Sequence, residues 1–329
     1  MQPSAAKRAC PTSPPTSPSW VNDINDNGVI VGAAGPFYSP EFGGKAVAWV
    51  PDGAGGYTIQ QLGTLPGHTA SNAAAVNNLG DIVGYSMSGG FRYPVLFTAP
   101  GGVQDLSFTG IFDPADINEE RVLIDHSFTC KKLDLDTMVV QDLGTAGAGY
   151  VASAGATINE SGQVAGLVIL TSTTCDRQAA RFTDEVGWEI FSTCGPHNGA
   201  QDMNDLGDLV VSINLGSYVR FEALGTFPIE DLIVNDVGHW YPVTLSSLAI
   251  NNSRQVAVTA TNPTLNKTGV LLLTPIAIPG DLDLDGDVDG ADLGALLAAW
   301  GPCAECAADL NGDGDVDGAD LGALLANWS

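Results

Sequence analysis

The chain has 329 residues with Lys+Arg 12 against Asp+Glu 38, a formal net charge of -26 that argues against nucleic acid as a partner. Only 15% of residues are charged and 44% are hydrophobic, with Gly 40 and Pro 19, a profile of many short strands and tight turns rather than long helices. No run of about 18 apolar residues occurs, so no transmembrane segment is expected.

The start, M-Q-P-S-A-A-K-R-A-C, lacks the apolar core of a signal peptide, and residues 1–18, ending in P-T-S-P-P-T-S-P, read as a Pro/Ser-rich linker or remnant. Six cysteines, an even number, fit an oxidising compartment. Cys175 and Cys194 flank a predicted pair of strands and are placed to staple one hairpin. Cys303 and Cys306 form a C-x-x-C without βαβ context, read as a local disulfide or two free thiols, and Cys10 and Cys130 are left unpaired by this reasoning.

Residues 19–275 repeat a turn followed by a β-run: I-N-D-N-G-V-I-V-G from Ile24, V-N-N-L-G-D-I-V-G from Val76 and I-N-E-S-G-Q-V-A-G from Ile158. Weaker copies start at Ile117, Met203 and Ile250. The asparagines Asn25, Asn77, Asn118, Asn159, Asn204 and Asn251 are spaced by 52, 41, 41, 45 and 47 residues, the period of a four-stranded propeller blade. Each unit is read as the Asn turn, an apolar strand, a strand ending in an aromatic (Trp49, Phe97, Phe182, Phe221), a strand ending in L-G-T (Leu62 to Thr64, Leu143 to Thr145), and a strand such as S-N-A-A-A-V-N from Ser71 leading to the next turn. In that frame Ser19 to Ile24 is a fourth strand without its first three, and pairing the start of the chain with its end completes the last blade. The expectation is a mainly β chain, a six-bladed propeller followed by a small all-α module.

The pattern resembles the HAF repeat of probable extracellular proteins, built on I-N-x-x-G-x-V-V-G, H-A-F-x-W and D-L-G-T-L-G-G, with Lys45, Tyr93 and Gln178 where that family often has His. The resemblance implies a propeller-like secreted domain and brings no catalytic residue. From the residues themselves, N-x-x-G is a turn signal, and six equivalent asparagines obey the symmetry that a catalytic residue should break. Acids near the turns (Asp23, Asp26, Asp81, Glu119, Glu120, Glu160, Asp205, Asp208) are read as solvated turn residues, since nothing in their spacing selects a glycosidase pair. His68, His126, His197 and His239 are scattered, with no H-E-x-x-H, and no G-x-S-x-G is present. Trp240 and Tyr241, in G-H-W-Y-P, break the repeat and are the candidate ligand-binding aromatics, with carbohydrate as the partner since sugar sites stack rings on apolar sugar faces; Trp49 recurs in register and is read as core.

After a linker at 276–280, residues 281–329 write one calcium loop twice, D-L-D-L-D-G-D-V-D-G-A-D from Asp281 and D-L-N-G-D-G-D-V-D-G-A-D from Asp309, 28 residues apart. A twelve-residue loop around a hard cation needs oxygen ligands at positions 1, 3, 5, 9 and 12, a carbonyl at 7 and glycine at 6. Asp281, Asp283, Asp285, Asp289 and Asp292 with the Asp287 carbonyl and Gly286 meet that need in the first copy; Asp309, Asn311, Asp313, Asp317 and Asp320 with the Asp315 carbonyl and Gly314 meet it in the second. Two Ca2+ ions are therefore expected, with Val288 and Val316 packing the loops on a shared core. Pro279 and Gly280 exclude an entering helix, whereas Leu293, Leu296, Leu297 and Trp300, and Leu321, Leu324, Leu325 and Trp328, predict a short amphipathic exit helix in each copy.

This duplicated loop and exit helix, with Asp at position 12, resembles the type I dockerin over residues 279–329. The resemblance implies a cohesin partner on a scaffold, read by the exposed helix face and by loop positions 10 and 11, here Gly290 and Ala291, Gly318 and Ala319 where that family often has Ser-Thr; the face residues are Leu293, Leu297, Leu321 and Leu325. It also implies docking in two orientations. The reading is a secreted, non-catalytic accessory or binding protein, a propeller tethered by a calcium-dependent dockerin. Its alternatives are a polysaccharide-degrading enzyme with an active site in a propeller mouth and a self-assembling structural subunit.

Overall fold

The computed structural model describes residues 19–35, 44–98, 102–171, 176–193, 195, 197–222, 225–233, 240–242, 248–275, 279–282, 288–303 and 306–328. Five four-stranded antiparallel sheets, each joined in simple sequence order, and a sixth of related form make a six-bladed β-propeller. Blades 1 to 6 begin with the strands Ser19–Ile24, Ala70–Val76, Pro114–Ile117, Tyr150–Ile158, Gly199–Met203 and Leu248–Ile250. The last residues of these strands border a common central chamber.

The phase of the repeat differs from the sequence reading. The strand before each Asn turn is the first strand of the blade that follows, because the turn closes a hairpin with Ile24 opposite Ile30, Val76 opposite Ile82, Ile117 opposite Leu123, Ile158 opposite Val164, Met203 opposite Leu209 and Ile250 opposite Val256. L-G-T therefore ends the fourth strand of a blade, as at Tyr57–Gly63. Ser19–Ile24 is consequently the first strand of a complete blade 1 and does not complete the last one. Blade 6 holds three layers: Tyr241–Pro242 and Leu248–Ile250 share one edge of Val256–Asn262, whose other edge carries Lys267–Leu273.

The glycine of V-I-V-G has a steric cause. At Gly32, Gly84 and Gly166 a Cβ would lie 2.1, 2.1 and 2.0 Å from the carbonyl oxygens of Trp20, Asn72 and Ala154. Each of those lies beside a bulge in the first strand, where an extra residue pushes the backbone against its neighbour.

Blades pack face to face. Val31, Ala46 and Ala48 of blade 1 meet Ala73, Val76, Ile82, Val95 and Phe97 of blade 2, and Val83 and Leu96 of blade 2 meet Ile117, Leu123 and Leu133 of blade 3. Burial of each such Val, Leu or Ile is worth roughly 1.5–3 kcal/mol. Trp49 is fully buried, as a core residue. Basic side chains cross the interfaces: Arg121 to Asp81 (2.7 Å), Lys132 to Asp184 (3.2 Å), Arg181 to Glu222 (2.6 Å) and Arg254 to Asp208 (2.8 Å). Charge thus enters the ring mainly as pairs between blades.

The C-terminal residues form two short helices, α1 (Gly290–Ala298) and α2 (Gly318–Ala326), and a two-residue bridge between Gly301–Pro302 and Asp315–Val316. Val288, Val316, Leu296, Leu324 and Ala308 form their common core. Cys303 and Cys306 are disulfide-bonded; Cys130 is a buried free thiol, its pKa pushed up to about 12, mainly by burial. Cys10, Cys175 and Cys194 lie outside the described residues. Among the described residues no helix is long and apolar enough to cross a membrane.

Candidate functional site

Two places gather functional groups: the chamber at the Asn-turn end of the ring, and the C-terminal loop-helix repeats. In the chamber, each turn asparagine accepts the amide of the residue four places on, all at 2.9 Å, from Val29, Asp81, Val122, Gln163, Asp208 and Gln255. Its Nδ2 then donates to the main-chain oxygen of the next asparagine: Asn25 to Asn77 (2.8 Å), Asn77 to Asn118 (3.1 Å), Asn118 to Asn159 (3.1 Å), Asn159 to Asn204 (3.2 Å) and Asn204 to Asn251 (3.1 Å). The turn role was legible in the sequence; the clip to the next blade was not.

The residue after each asparagine builds a second ladder. The amide of Asp26 donates to Asn78 (2.8 Å), Asn78 to Glu119 (2.7 Å), Glu119 to Glu160 (3.0 Å), Glu160 to Asp205 (2.9 Å) and Asp205 to Asn252 (2.8 Å). Glu119, Glu160 and Asp205 are therefore rim acceptors, Asp26 accepts from the Asn78 side-chain amide (2.8 Å), and Asp81 and Asp208 are ion-paired between blades.

Asp116 and Asp202, which sequence reasoning missed, stand with Asp23 two places before alternate asparagines. Asp23 and Asp116 line the chamber and Asp202 stands next to the lining residue Met203, while the same position holds Ala75, Thr157 and Ala249 in the other blades. Each accepts its own next amide, from Ile24 (2.7 Å), Ile117 (2.8 Å) and Met203 (2.9 Å). Each also accepts an amide of the following blade, from Val76 (2.8 Å), Ile158 (2.9 Å) and Ile250 (2.9 Å). Burial, opposed by those amides, pushes Asp116 up to about 7 and Asp202 up to about 6, and raises Asp23; the Asp23 charge adds to the rise in the other two. The chamber, about 460 Å3, has a lining that includes six carboxylates and no base, so it favours cations over anions.

Trp240 is half-buried, its ring 3.3 Å from where a Cβ on Gly269 would stand, which places it against blade 6 and away from the chamber lining. The side chain of Tyr241 lies outside the described residues; its backbone pairs with Thr261.

In the second loop Asp309 accepts the amides of Gly312 (2.8 Å), Asp313 (3.1 Å) and Gly314 (2.8 Å), with Gly314 at φ 93, the sharp turn that the glycine permits. Asn311 accepts from the Asp313 amide (2.8 Å) and Asp313 from Asp315 (3.0 Å). Asp317 caps α2 through Ala319 (2.7 Å), and buried Asp320 reaches back to the amides of Asp317 (2.8 Å), Leu310 (2.8 Å) and Asn311 (3.1 Å), which lower its pKa. The first loop repeats this frame: Asp289 accepts from Ala291 (2.7 Å), and Asp292 from Asp289 (2.8 Å) and Leu282 (2.6 Å). Asp283, Asp285 and Asp287 lie outside the described residues, and Asp281 stands at the loop entrance. The all-oxygen donor set fits a hard cation. In this conformation the carboxylates face backbone amides, and among the described residues no three His, Cys, Asp or Glu side chains converge as metal ligands.

The helix stripe divides where one continuous face was expected. Leu296 and Leu324 are buried, Leu293 and Leu321 pack at the margin of the core, and Leu297 and Leu325 point outward at 52% and 51% exposure. A short helix anchored by a buried aspartate in its first turn, Asp292 or Asp320, turns one side inward, so the leucine four places after Leu293 or Leu321 is left outside. Trp300 and Trp328, beyond the helix ends, are exposed beside them, as are Gly290, Ala291, Gly318 and Ala319.

No family model matches the chain, and no curated protein matches it. Among solved structures, it is similar to the oligogalacturonate lyase of Vibrio parahaemolyticus, with 13% identity and TM-score 0.38 over 62% of this chain and 66% of that one. It is also similar to the β-propeller domain of the Trilobed protease of Pyrococcus furiosus, with 8% identity and TM-score 0.46 over 80% and 86%. A third is PorZ of Porphyromonas gingivalis, a surface component of the type-IX secretion system, with 12% identity and TM-score 0.46 over 77% and 40%. At these values the likeness carries no inference about activity.

Proposed function

We propose that the chain is a secreted accessory or binding protein whose propeller is tethered through its C-terminal module, a calcium-dependent dockerin, to a cohesin-bearing scaffold. The observation that carries this reading is the duplicated frame of the module. In both copies a position-9 aspartate caps the helix, a position-12 aspartate closes the loop at matching distances, and an outward leucine and tryptophan (Leu297 and Trp300, Leu325 and Trp328) stand on the free side. Exposed large apolar side chains in a repeated arrangement suit a protein partner.

Asp309, Asn311, Asp313, Asp317 and Asp320 with the Asp315 carbonyl would hold one Ca2+, and Asp281, Asp283, Asp285, Asp289 and Asp292 with the Asp287 carbonyl the other. When bound, calcium supplies positive charge that draws the carboxylates off backbone amides and fixes both helices. Binding to the folded state alone adds about 2.7 kcal/mol at a hundredfold excess over Kd. The non-catalytic reading of the propeller draws support from the chamber acids, which occupy equivalent positions and serve as backbone acceptors.

The test is calorimetric titration of the full chain with calcium, followed by capture from secreted proteins of its source. Two bound ions and recovery of a cohesin domain, lost on chelation, are expected. Calcium binding without a cohesin refutes the tether and leaves a calcium-stapled structural unit.

A further inference from the structure

The interfaces between consecutive blades are made from the same two halves. A residue on the third strand of one blade faces the last residue of the next blade's first strand: Ala48 shares a core cluster with Val76, Leu96 with Ile117, Val219 with Ile250. The corresponding halves at the two ends of the ring are Leu272 in blade 6 and Ile24 in blade 1. Neither is covered. Ile24 is 57% exposed where Val76, Ile117, Ile158, Met203 and Ile250 lie between 5% and 7%; Leu272 is 62% exposed where Ala48, Leu96, Lys132, Arg181 and Val219 lie between 0% and 6%.

Both hydrogen-bond ladders stop at the same place. Asn251 turns its Nδ2 back to Gln255 Oε1 (2.9 Å), and among the described residues no hydrogen bond joins the Asn251–Asn252 turn to Asn25 or Asp26. The turns nonetheless line one chamber, so the two ends stand across a common cavity. The interfaces from blade 2 to blade 6 each carry an ion pair, and no ion pair among the described residues spans blades 6 and 1.

We propose that the ring closes along this seam, Leu272 seating on Ile24 and the Asn251 side-chain amide reaching the Asn25 carbonyl, which makes the seam a lateral gate to the central chamber. Open, it admits a ligand from the side; closed, it encircles that ligand. The occupant of each exposed half is the opposite end of the same ring, because five interfaces of this chain already join such halves and both ends border one chamber.

The test uses the full chain with Leu272→Ser and Ile24→Ser, alone and together, read by calorimetry. A gate that closes makes each substitution lower the Tm of the propeller by about 2 to 6 °C although both side chains are exposed when the seam is open, and makes the double variant lose less than the sum. Shifts under about 1 °C that simply add overturn the gate. A coupling that grows with protein concentration, together with a doubled mass in sedimentation equilibrium, also overturns it, in favour of end-to-end association of copies. Hydrogen exchange of the unaltered chain gives an independent reading: closure protects the Asn252 amide to the level of the Asn78 and Glu119 amides, and a permanently open seam leaves it exchanging fast.

Discussion

Replacing Asn118 by alanine isolates the asparagine clip. The side chain is 3% exposed, its Oδ1 is the acceptor for the Val122 amide at 2.9 Å, and its Nδ2 donates to the Asn159 carbonyl at 3.1 Å. A buried amide left without an acceptor costs about 1–3 kcal/mol, and the lost bond to Asn159, whose carbonyl keeps the Gly162 amide, adds about 0.5–1.5 kcal/mol. The sum, about 2–4 kcal/mol, lowers the propeller Tm by about 5 to 12 °C for a transition of this size. Asn251→Ala is the comparison: with the seam open Asn251 is exposed and clips no neighbour, so water replaces what is lost and about 0.5–1 kcal/mol is expected, and closure of the seam onto Asn25 would raise that figure toward the Asn118 value. Differential scanning calorimetry of the two variants decides. A loss of only about 0.5–1 kcal/mol at Asn118 would refute the clip and reduce the asparagines to turn formers.

Stability should fall as pH rises from about 4 to 8, because folded Asp116 and Asp202 keep protons, up to about 7 and about 6, that the unfolded chain has already released. Chamber water moderates the effect to roughly 2–4 kcal/mol, and denaturant midpoints that do not drop between pH 5 and pH 8 would count against the burial of these acids. Asp208→Ala strips Arg254, whose side chain is 11% exposed, of its 2.8 Å partner and should cost about 3–5 kcal/mol in urea unfolding, against a much smaller loss for Asp184→Ala, whose carboxylate is largely exposed. For the module, Asp313→Ala should remove one calcium from the titration of the full chain. Leu297→Ser with Leu325→Ser, both outward-facing, should leave two calcium ions bound and abolish capture of the cohesin; retained capture would move the docking surface elsewhere.

The period of the ring was readable because the clip demands one asparagine per blade, and the turn glycines follow it. Phase was not readable, since a repeat distance says how far apart equivalent residues are and not which hairpin a strand belongs to. Ser19–Ile24 looked like a leftover on that account, and among the described residues it is Lys267–Leu273, at the other end, that has no strand beyond it. Asp116 and Asp202 escaped notice because their position is acidic only in alternate copies, and a search for six equivalents averages them away; comparing odd with even copies is the signal that finds them. In the module the duplicated loop and helix frame was legible as spacing, whereas the outward turn of Leu297 and Leu325 depended on which side the buried Asp292 and Asp320 anchor.

That alternation has a mechanical consequence. Asp23, Asp116 and Asp202 bridge blade 1 to 2, 3 to 4 and 5 to 6, while no such bridge spans 2 to 3, 4 to 5 or 6 to 1. The aspartate bridges thus mark off three couples of blades; the lines between blades 2 and 3 and between 4 and 5 are held instead by the Arg121 to Asp81 and Arg181 to Glu222 pairs, and the open seam is the third line. Low-frequency breathing of such a body is expected to have threefold rather than sixfold character, with the bridged couples tilting as units like the jaws of a three-jawed chuck.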